Sequence, residues 1–315
     1  MSASVLPGGL VFRSRAMQRV LEVASRLLDA KTPVLLLGES GTGKDLLARH
    51  LHEASARRVG PFVSVHCPSV PAELLESELF GHEAGAFTDA KRTKPGKLEM
   101  AEGGSLYFDQ VQELGLALQA KLLRVVEEKR FERLGGNRTL EVDTRFLFSS
   151  NRDLRAAVRQ GAFREDLFHR LSVVELELPP LRERREDVLP LVQHFLGRER
   201  DRGTTRVRGL DAEAEALLQG YSWPGNVREL RAAVERAALL AGGERLTAAD
   251  LPRQLFADPE SLFAAREQPP SLKQIEQSYI RHVLRQTGGS QTQAARILGI
   301  SRKALWEKRR RYGIP

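Results

Sequence analysis

The sequence predicts an α/β domain built on a mainly parallel sheet, continued by a helical subdomain and closed by a small all-α domain. Three observations carry this. Over residues 10–180, apolar strand-like runs alternate with helix-like stretches. That alternation marks strand–helix–strand units with helices on both faces of a parallel sheet. Residues 186–250 are helix-like throughout. Residues 271–315 are helical again, and the net charge of +8 is concentrated there.

In chain order, VLLL at 34–37, FVSV at 62–65, SLYF at 105–108, RFLF at 145–148 and VVELEL at 173–178 read as strands. Periodic helices such as 45–56 and 116–128 lie between them. Within 225–241, Val227, Leu230, Val234, Ala237 and Ala241 fall on one face at three- and four-residue spacing. Pro252, Pro259, Pro269 and Pro270 stand in a stretch of little periodicity, so 251–270 reads as a linker. The expected organisation is a short N-terminal extension (1–9), an α/β subdomain (10–180), a helical subdomain (181–250), the linker, and a helical domain (271–315).

A chain of 315 residues with 41% hydrophobic content can fill a large core. The single cysteine, Cys67, excludes an internal disulfide framework and suits a reducing cytoplasm. No apolar run approaches the ~18 residues of a membrane helix. The opening MSASVLPGGLVF has no basic stretch before its apolar part, so no secretory signal is expected. Residues 271–315 hold ten Lys/Arg and two acids, while the preceding residues hold 39 of each. A neutral body with a basic tail points to a polyanion partner for the tail.

Residues 38–44 read GESGTGK, directly after a strand and before a helix. Gly38-x4-Gly43-Lys44 is the phosphate-loop pattern in its supporting context. Backbone amides of Glu39, Ser40, Gly41, Thr42 and Gly43 are placed to cradle phosphate oxygens, and Lys44 to reach the outer phosphates. The hydroxyl residue that usually follows the lysine is replaced by Asp45.

Five stretches now point one way: GESGTGKD at 38–45, ESELFGHEAGAFTDA at 76–90, GGSLYFDQ at 103–110, FREDLFHRL at 163–171 and WPGNVREL at 223–230. Together they resemble the ATPase domain of sigma-54-dependent transcriptional activators, the bacterial enhancer-binding proteins of the AAA+ superfamily. The tail resembles the family's Fis-type helix-turn-helix. The resemblance implies an AAA+ P-loop sheet with a helical lid, ATP and Mg²⁺ as cofactors, and an acid at Asp45. It implies that Asp109 holds Mg²⁺ through water, with Asp45 beside it. Asn151 would be the first sensor of the γ-phosphate and Arg228 the second sensor on the lid. Arg164 and Arg170 would be fingers reaching into a neighbour's site, in a homo-oligomer between a dimer and a hexameric ring. The implied partners are double-stranded DNA and sigma-54 RNA polymerase holoenzyme.

Two departures fall on working parts. Where the family has Asp-Glu, this chain has Asp109-Gln110. Gln can hydrogen-bond the attacking water but cannot accept its proton, and losing a general base typically removes ~10²–10⁴-fold in rate. Where the family has an Asn that holds that Glu, this chain has His66, so the switch pair would become His66 and Gln110. A tolerated polar strand residue is one reading of His66; a substitute base is another. In the stretch that resembles the family's sigma-54-contacting loop, Phe87 and Thr88 are kept, but Asp89 replaces a glycine and adds a charge.

In the tail, Ala294, Ala295, Ile297 and Leu298 form the apolar side of a first helix, and Gly299 makes the turn. Ser301 caps a second helix, with Leu305 inward and Arg302, Lys303, Lys308, Arg309 and Arg310 outward. Gln291, Thr292, Lys308 and Arg309 are expected against the DNA, and Ser301, Arg302 and Lys303 near base edges. The preceding helix, 272–287, is expected to pair with its copy. The chain is thus expected to be a cytoplasmic sigma-54-dependent regulator that binds ATP and DNA with impaired hydrolysis. The alternative is an ATP-gated DNA-binding repressor or competitor.

Overall fold

The computed structural model describes residues 4–6, 9–69, 72–88, 90–252, 255, 276–277, 279–281, 283–284, 287 and 290–314. It divides into two compact units, residues 1–256 and 257–315.

The first unit is built on β1 (Val34–Leu37), β2 (Phe62–His66), β3 (Ser105–Asp109), β4 (Arg145–Ser150) and β5 (Glu175–Glu177). The strand order is β5-β1-β4-β3-β2, all parallel. The central strands are buried on both faces, through Val34–Leu36, Leu106–Phe108 and Phe146–Phe148. Parallel sheets covered on both sides require such continuous apolar runs. The last strand is shorter than VVELEL suggests. It pairs only with β1, at the sheet edge, and Val173 before it is exposed.

Helix α1 (Arg15–Arg26) is capped by Ser14, whose hydroxyl accepts from Met17 N at 3.3 Å. Helix α2 (Lys44–Glu53) packs Leu47, Ala48 and Leu51 against the sheet. It ends earlier than the predicted 56, because Ser55 caps a short 3₁₀ turn at Ala56–Val59. Helix α3 (Leu116–Glu128) matches its prediction, and α4 (Glu165–Leu171) follows. The lid comprises α5 (Val188–Asp201), a helix at Ala212–Gly220 and α6 (Asn226–Leu240), packed around Trp223. Leu251 and Leu255 also pack into this core; most of the predicted linker lies outside the described residues.

Two buried charges stitch the unit together. Asp187, at the start of α5, accepts from Arg13 N (2.5 Å), Ser14 N (2.6 Å) and Ser14 Oγ (2.9 Å), fixing the entry to α1. At the amino edge of the sheet, Arg145 donates to the carbonyls of Leu27 (2.6 Å), Leu28 (2.6 Å) and Leu51 (3.0 Å).

In the second unit, residues 276–277, 279–281 and 283–284 are helical; the rest of the predicted 272–287 helix lies outside the described residues. Helices α7 (Gln291–Ile297) and α8 (Arg302–Tyr312) enclose a core of Ile280, Val283, Leu284, Ala294, Ala295, Leu305 and Ile314. Ile297 is exposed rather than on the apolar side, because only Ala294, Ala295 and Leu298 turn inward. Among the described residues, no helix is long and apolar enough to cross a membrane.

Candidate functional site

The loop 38–43 joins β1 to α2 at the carboxyl edge of the sheet, where open α/β folds bind ligands. Gly41 has φ +78°, and a Cβ there would come within 2.4 Å of Gly225 O, so this close approach to the lid needs glycine. Val227 N donates to Gly41 O at 3.0 Å. Lys44 is buried, its ammonium donating to Gly38 O (2.7 Å) and Glu39 O (2.9 Å). Burial lowers its pKa below the ordinary lysine value.

Beside the loop, Asp109 ends β3 and is held by three neighbours. Ser149 Oγ donates to Oδ1 at 2.7 Å, Tyr107 OH lies 3.4 Å from Oδ1, and His66 Nδ1 lies 2.6 Å from Oδ2. Tyr107 OH donates to Asp45 at 2.7 Å, so one hydroxyl bridges the two carboxylates. His66 therefore pairs with Asp109 rather than with Gln110. The two stand opposite each other in the β2–β3 register. Gln110 turns out of the strand with φ +60°, a left-handed conformation uncommon for a residue with a side chain. Its N–H donates to Ser149 Oγ (3.0 Å), and its Oε1 lies 3.5 Å from Asn151 Nδ2. Asn151 Oδ1 accepts from Gln112 Nε2 at 2.7 Å.

Beside them lies a cavity of about 320 Å³. Of the residues singled out in the sequence, Ser40, Gly41, Thr42, Gly43, Lys44, Asp45, Asp109, Gln110, Asn151 and Arg228 line it. Gly38, Glu39 and His66 do not. The Glu39 carboxylate faces Arg182 (2.7 and 2.9 Å) and Asn226 Nδ2 (3.1 Å), and Arg182 holds its pKa low. Arg228 donates to Ser40 Oγ at 2.8 Å. Sequence reasoning missed the far wall, formed by Leu10, Val11, Leu191, His194 and Phe195 with Arg184, Arg198 and Arg231. Arg184 is buried, donates to Thr42 O at 2.6 Å, and burial brings its pKa down to about 10. Only the basic and apolar periodicity of α5 could have hinted at this wall.

Arg164 and Arg170 do not line this cavity. Arg164 precedes α4 and pairs with Asp166 (2.7 Å); Arg170 is exposed near the end of α4. In the loop after His82, Gly85 N donates to Ala90 O (2.8 Å) and Ala90 N to Phe87 O (2.9 Å). Phe87 is 43% exposed with its ring 4.9 Å from that of His82, and Thr88 is exposed. Asp89 lies outside the described residues.

In the second unit, Ser301 Oγ accepts from Ala304 N at 3.1 Å, the predicted cap. Gly299 makes the turn at φ +67°. Gln291, Thr292, Arg302 and Lys303 are solvent-facing, Gln291 partly so. Lys308 is not outward: it pairs with Glu276, which also accepts from Tyr312 OH. Arg309 is half-buried, one turn from the buried Leu305. Lys308 turns toward its own unit because Glu276, from the preceding helix, supplies the acid.

A strand–loop–helix phosphate cradle under a helical lid, followed by a helix-turn-helix, defines an AAA+ P-loop module joined to a Fis-type domain. The family described as "Sigma-54 interaction domain" matches residues 10–177, "AAA+ ATPase lid domain" 182–268, and "Bacterial regulatory protein, Fis family" 271–312. The regulatory protein AtoC of Escherichia coli is 43% identical over 314 residues, covering 98% of this chain and 68% of that protein. The C4-dicarboxylate transport transcriptional regulatory protein DctD of Pseudomonas aeruginosa is 43% identical over 315 residues, covering 98% of this chain and 65% of that protein. The crystal structure of NtrX from Brucella abortus in complex with ATP is similar with a TM-score of 0.75 and 35% identity, covering 97% of this chain and 70% of that one. The chain belongs to the sigma-54-dependent transcriptional regulators.

Proposed function

We propose that this regulator binds ATP with Mg²⁺, assembles through its ATPase domains, and turns ATP over slowly because Gln110 stands where the family carries a glutamate. That one residue carries the reading. It lines the cavity directly after Asp109, with an amide that can hold water but not take its proton.

The chain's residues divide the work. Ser40 to Gly43 supply amides to the phosphates, and Lys44 exchanges its loop carbonyls for phosphate oxygens. Asp45 and Asp109 line one cavity as hard oxygen donors, which fits Mg²⁺, and that ion is usually held by one or two carboxylates plus phosphates. Among the described residues no group of three or more His, Cys, Asp or Glu could hold a metal alone, consistent with a site completed by nucleotide. Bound there, Mg²⁺ would neutralise charge on the phosphates. Asn151 and Gln110 orient water at the outer phosphate, His66 holds Asp109, and Arg228 reports nucleotide to the lid. Arg164 and Arg170, remote from their own cavity, act in trans on a neighbour's nucleotide in a ring of up to six. The domain limits 10–180, 181–250 and 271–315 serve these roles. Phe87 and Thr88, with Asp89, meet sigma-54 holoenzyme. Gln291, Thr292, Ser301, Arg302 and Lys303 meet double-stranded DNA, in the cytoplasm.

Gln110, His66 and Asp89 together favour a second reading, an ATP-gated DNA-binding repressor that no longer activates sigma-54. Steady-state ATPase across protein concentration, with Gln110→Glu alongside, tests the first. The variant is expected to exceed the parent by ~10²–10⁴-fold and to rise on assembly. A parent rate that the substitution leaves unchanged would overturn it. Sigma-54-dependent transcription with purified components separates activator from repressor.

A further inference from the structure

Helix α8 carries six cations and one acid, yet a large apolar ring stands on its outward face. Trp306 keeps 52% of its surface exposed. The chain's other tryptophan, Trp223, is 1% exposed and donates its indole N–H to Leu218 O at 2.9 Å. Trp306 has no such packing role, since the inward position of its turn is filled by Leu305. Arg302, Trp306 and Arg310 are all exposed and recur at four-residue spacing, so they form one stripe along the helix. The Arg310 guanidinium lies 5.6 Å from the Trp306 ring centroid, a cation–π contact that steadies the ring on this face. Lys308, two residues from Trp306, lies on the opposite face of the helix and pairs with Glu276.

The cationic surroundings commit the face to a polyanion. With phosphates drawn to arginines on either side, the ring between them meets base edges. In the major groove, the group that rewards an apolar contact is the 5-methyl of thymine. We propose that Trp306 is a specificity-determining residue that reads thymine methyl groups in the major groove of double-stranded DNA. Arg302, which the sequence placed near base edges, instead holds the backbone on one side of the ring, and Arg310 holds it on the other. This rests on the DNA-binding reading above, and it adds a base preference that the basic residues alone do not supply.

The test uses the full chain. Duplexes are selected from a randomised pool, and affinities are measured by fluorescence anisotropy. Each thymine of the selected site is then replaced in turn by deoxyuridine, which removes only the methyl group. At one or two positions the parent is expected to lose about fourfold in affinity, the worth of one buried methyl. Trp306→Ala is expected to bind the selected site more weakly and to ignore those same replacements. Its affinity for a scrambled duplex, its salt dependence and its thermal unfolding should match the parent. Trp306→Phe should recover part of the thymine preference. If the parent is indifferent to every deoxyuridine, or Trp306→Ala keeps the same sensitivity, the proposal falls and the ring serves another contact. If the parent binds no duplex at all, the DNA-binding reading falls with it.

Discussion

Lys44 and Arg145 are both buried cations, 6% and 2% exposed, at opposite edges of one sheet, Lys44 opening α2 and Arg145 opening β4. Each spends its protons on backbone carbonyls. Lys44 reaches only five and six residues back, to Glu39 and Gly38 in its own loop. Arg145 reaches across 94 to 118 residues, to the ends of α1 and α2. A local partner can be traded for a ligand without undoing the fold, whereas a distant one cannot. The carboxyl edge is therefore poised for exchange, and the amino edge is closed by stitching.

Crossed substitutions would sharpen the contrast. Arg145→Met orphans three carbonyls, at ~1 kcal/mol or more each. Urea unfolding should show a loss of about 3 kcal/mol, with nucleotide affinity kept by the protein that remains folded. Lys44→Ala should do the reverse: fluorescent-nucleotide titration should weaken about 10–100-fold, from the loss of one charge-assisted contact of roughly 1.5–3 kcal/mol. Its unfolding midpoint should barely move. An equal loss of stability in both variants would break the comparison.

Asn226 lies between the extremes. It is buried, accepts from Leu181 N (2.7 Å) and donates to Glu39 Oε2 (3.1 Å) and Ser40 O (3.0 Å). Asn226→Ala should lower stability by ~1–3 kcal/mol and nucleotide affinity together, as urea unfolding and the same titration would show. The smallest effect is expected at Lys129, beside Thr144 at the amino edge. Burial, and then the nearby Arg170, bring its pKa down to about 8. Between about 8 and the ordinary lysine value the unfolded chain binds more protons, so this residue makes stability rise with pH. Lys129→Met should flatten that rise, read as urea midpoints at pH 7.5 and 9.5.

The phosphate loop was legible because its chemistry is contiguous and its flanks announce a strand and a helix. Asp109 was legible as the end of an apolar run, and Asn151 only through the family resemblance. The His66–Asp109 pair was not: it depends on which strands become neighbours, and the β2–β3 register is a tertiary fact. The far wall was hidden for the same reason, since Leu10 and Phe195 meet only after the lid folds back. Lys308 looked like a phosphate contact in a basic helix, but Glu276 thirty-two residues earlier claims it. Residue type suggests a role, and the competing partner decides it.

The clasp of Glu39 by Arg182 and Asn226, with Val227 N on Gly41 O, joins the cradle's rim to the lid. Two bodies so joined share one free-energy surface. Whatever shifts the lid's preferred angle must alter the loop's affinity for phosphate by the same factor by which phosphate shifts the lid. A partner that grips only the lid, far from any nucleotide, can then act as a tightening or loosening hand on ATP. Through that reciprocity the lid and the phosphate loop each report on the state of the other.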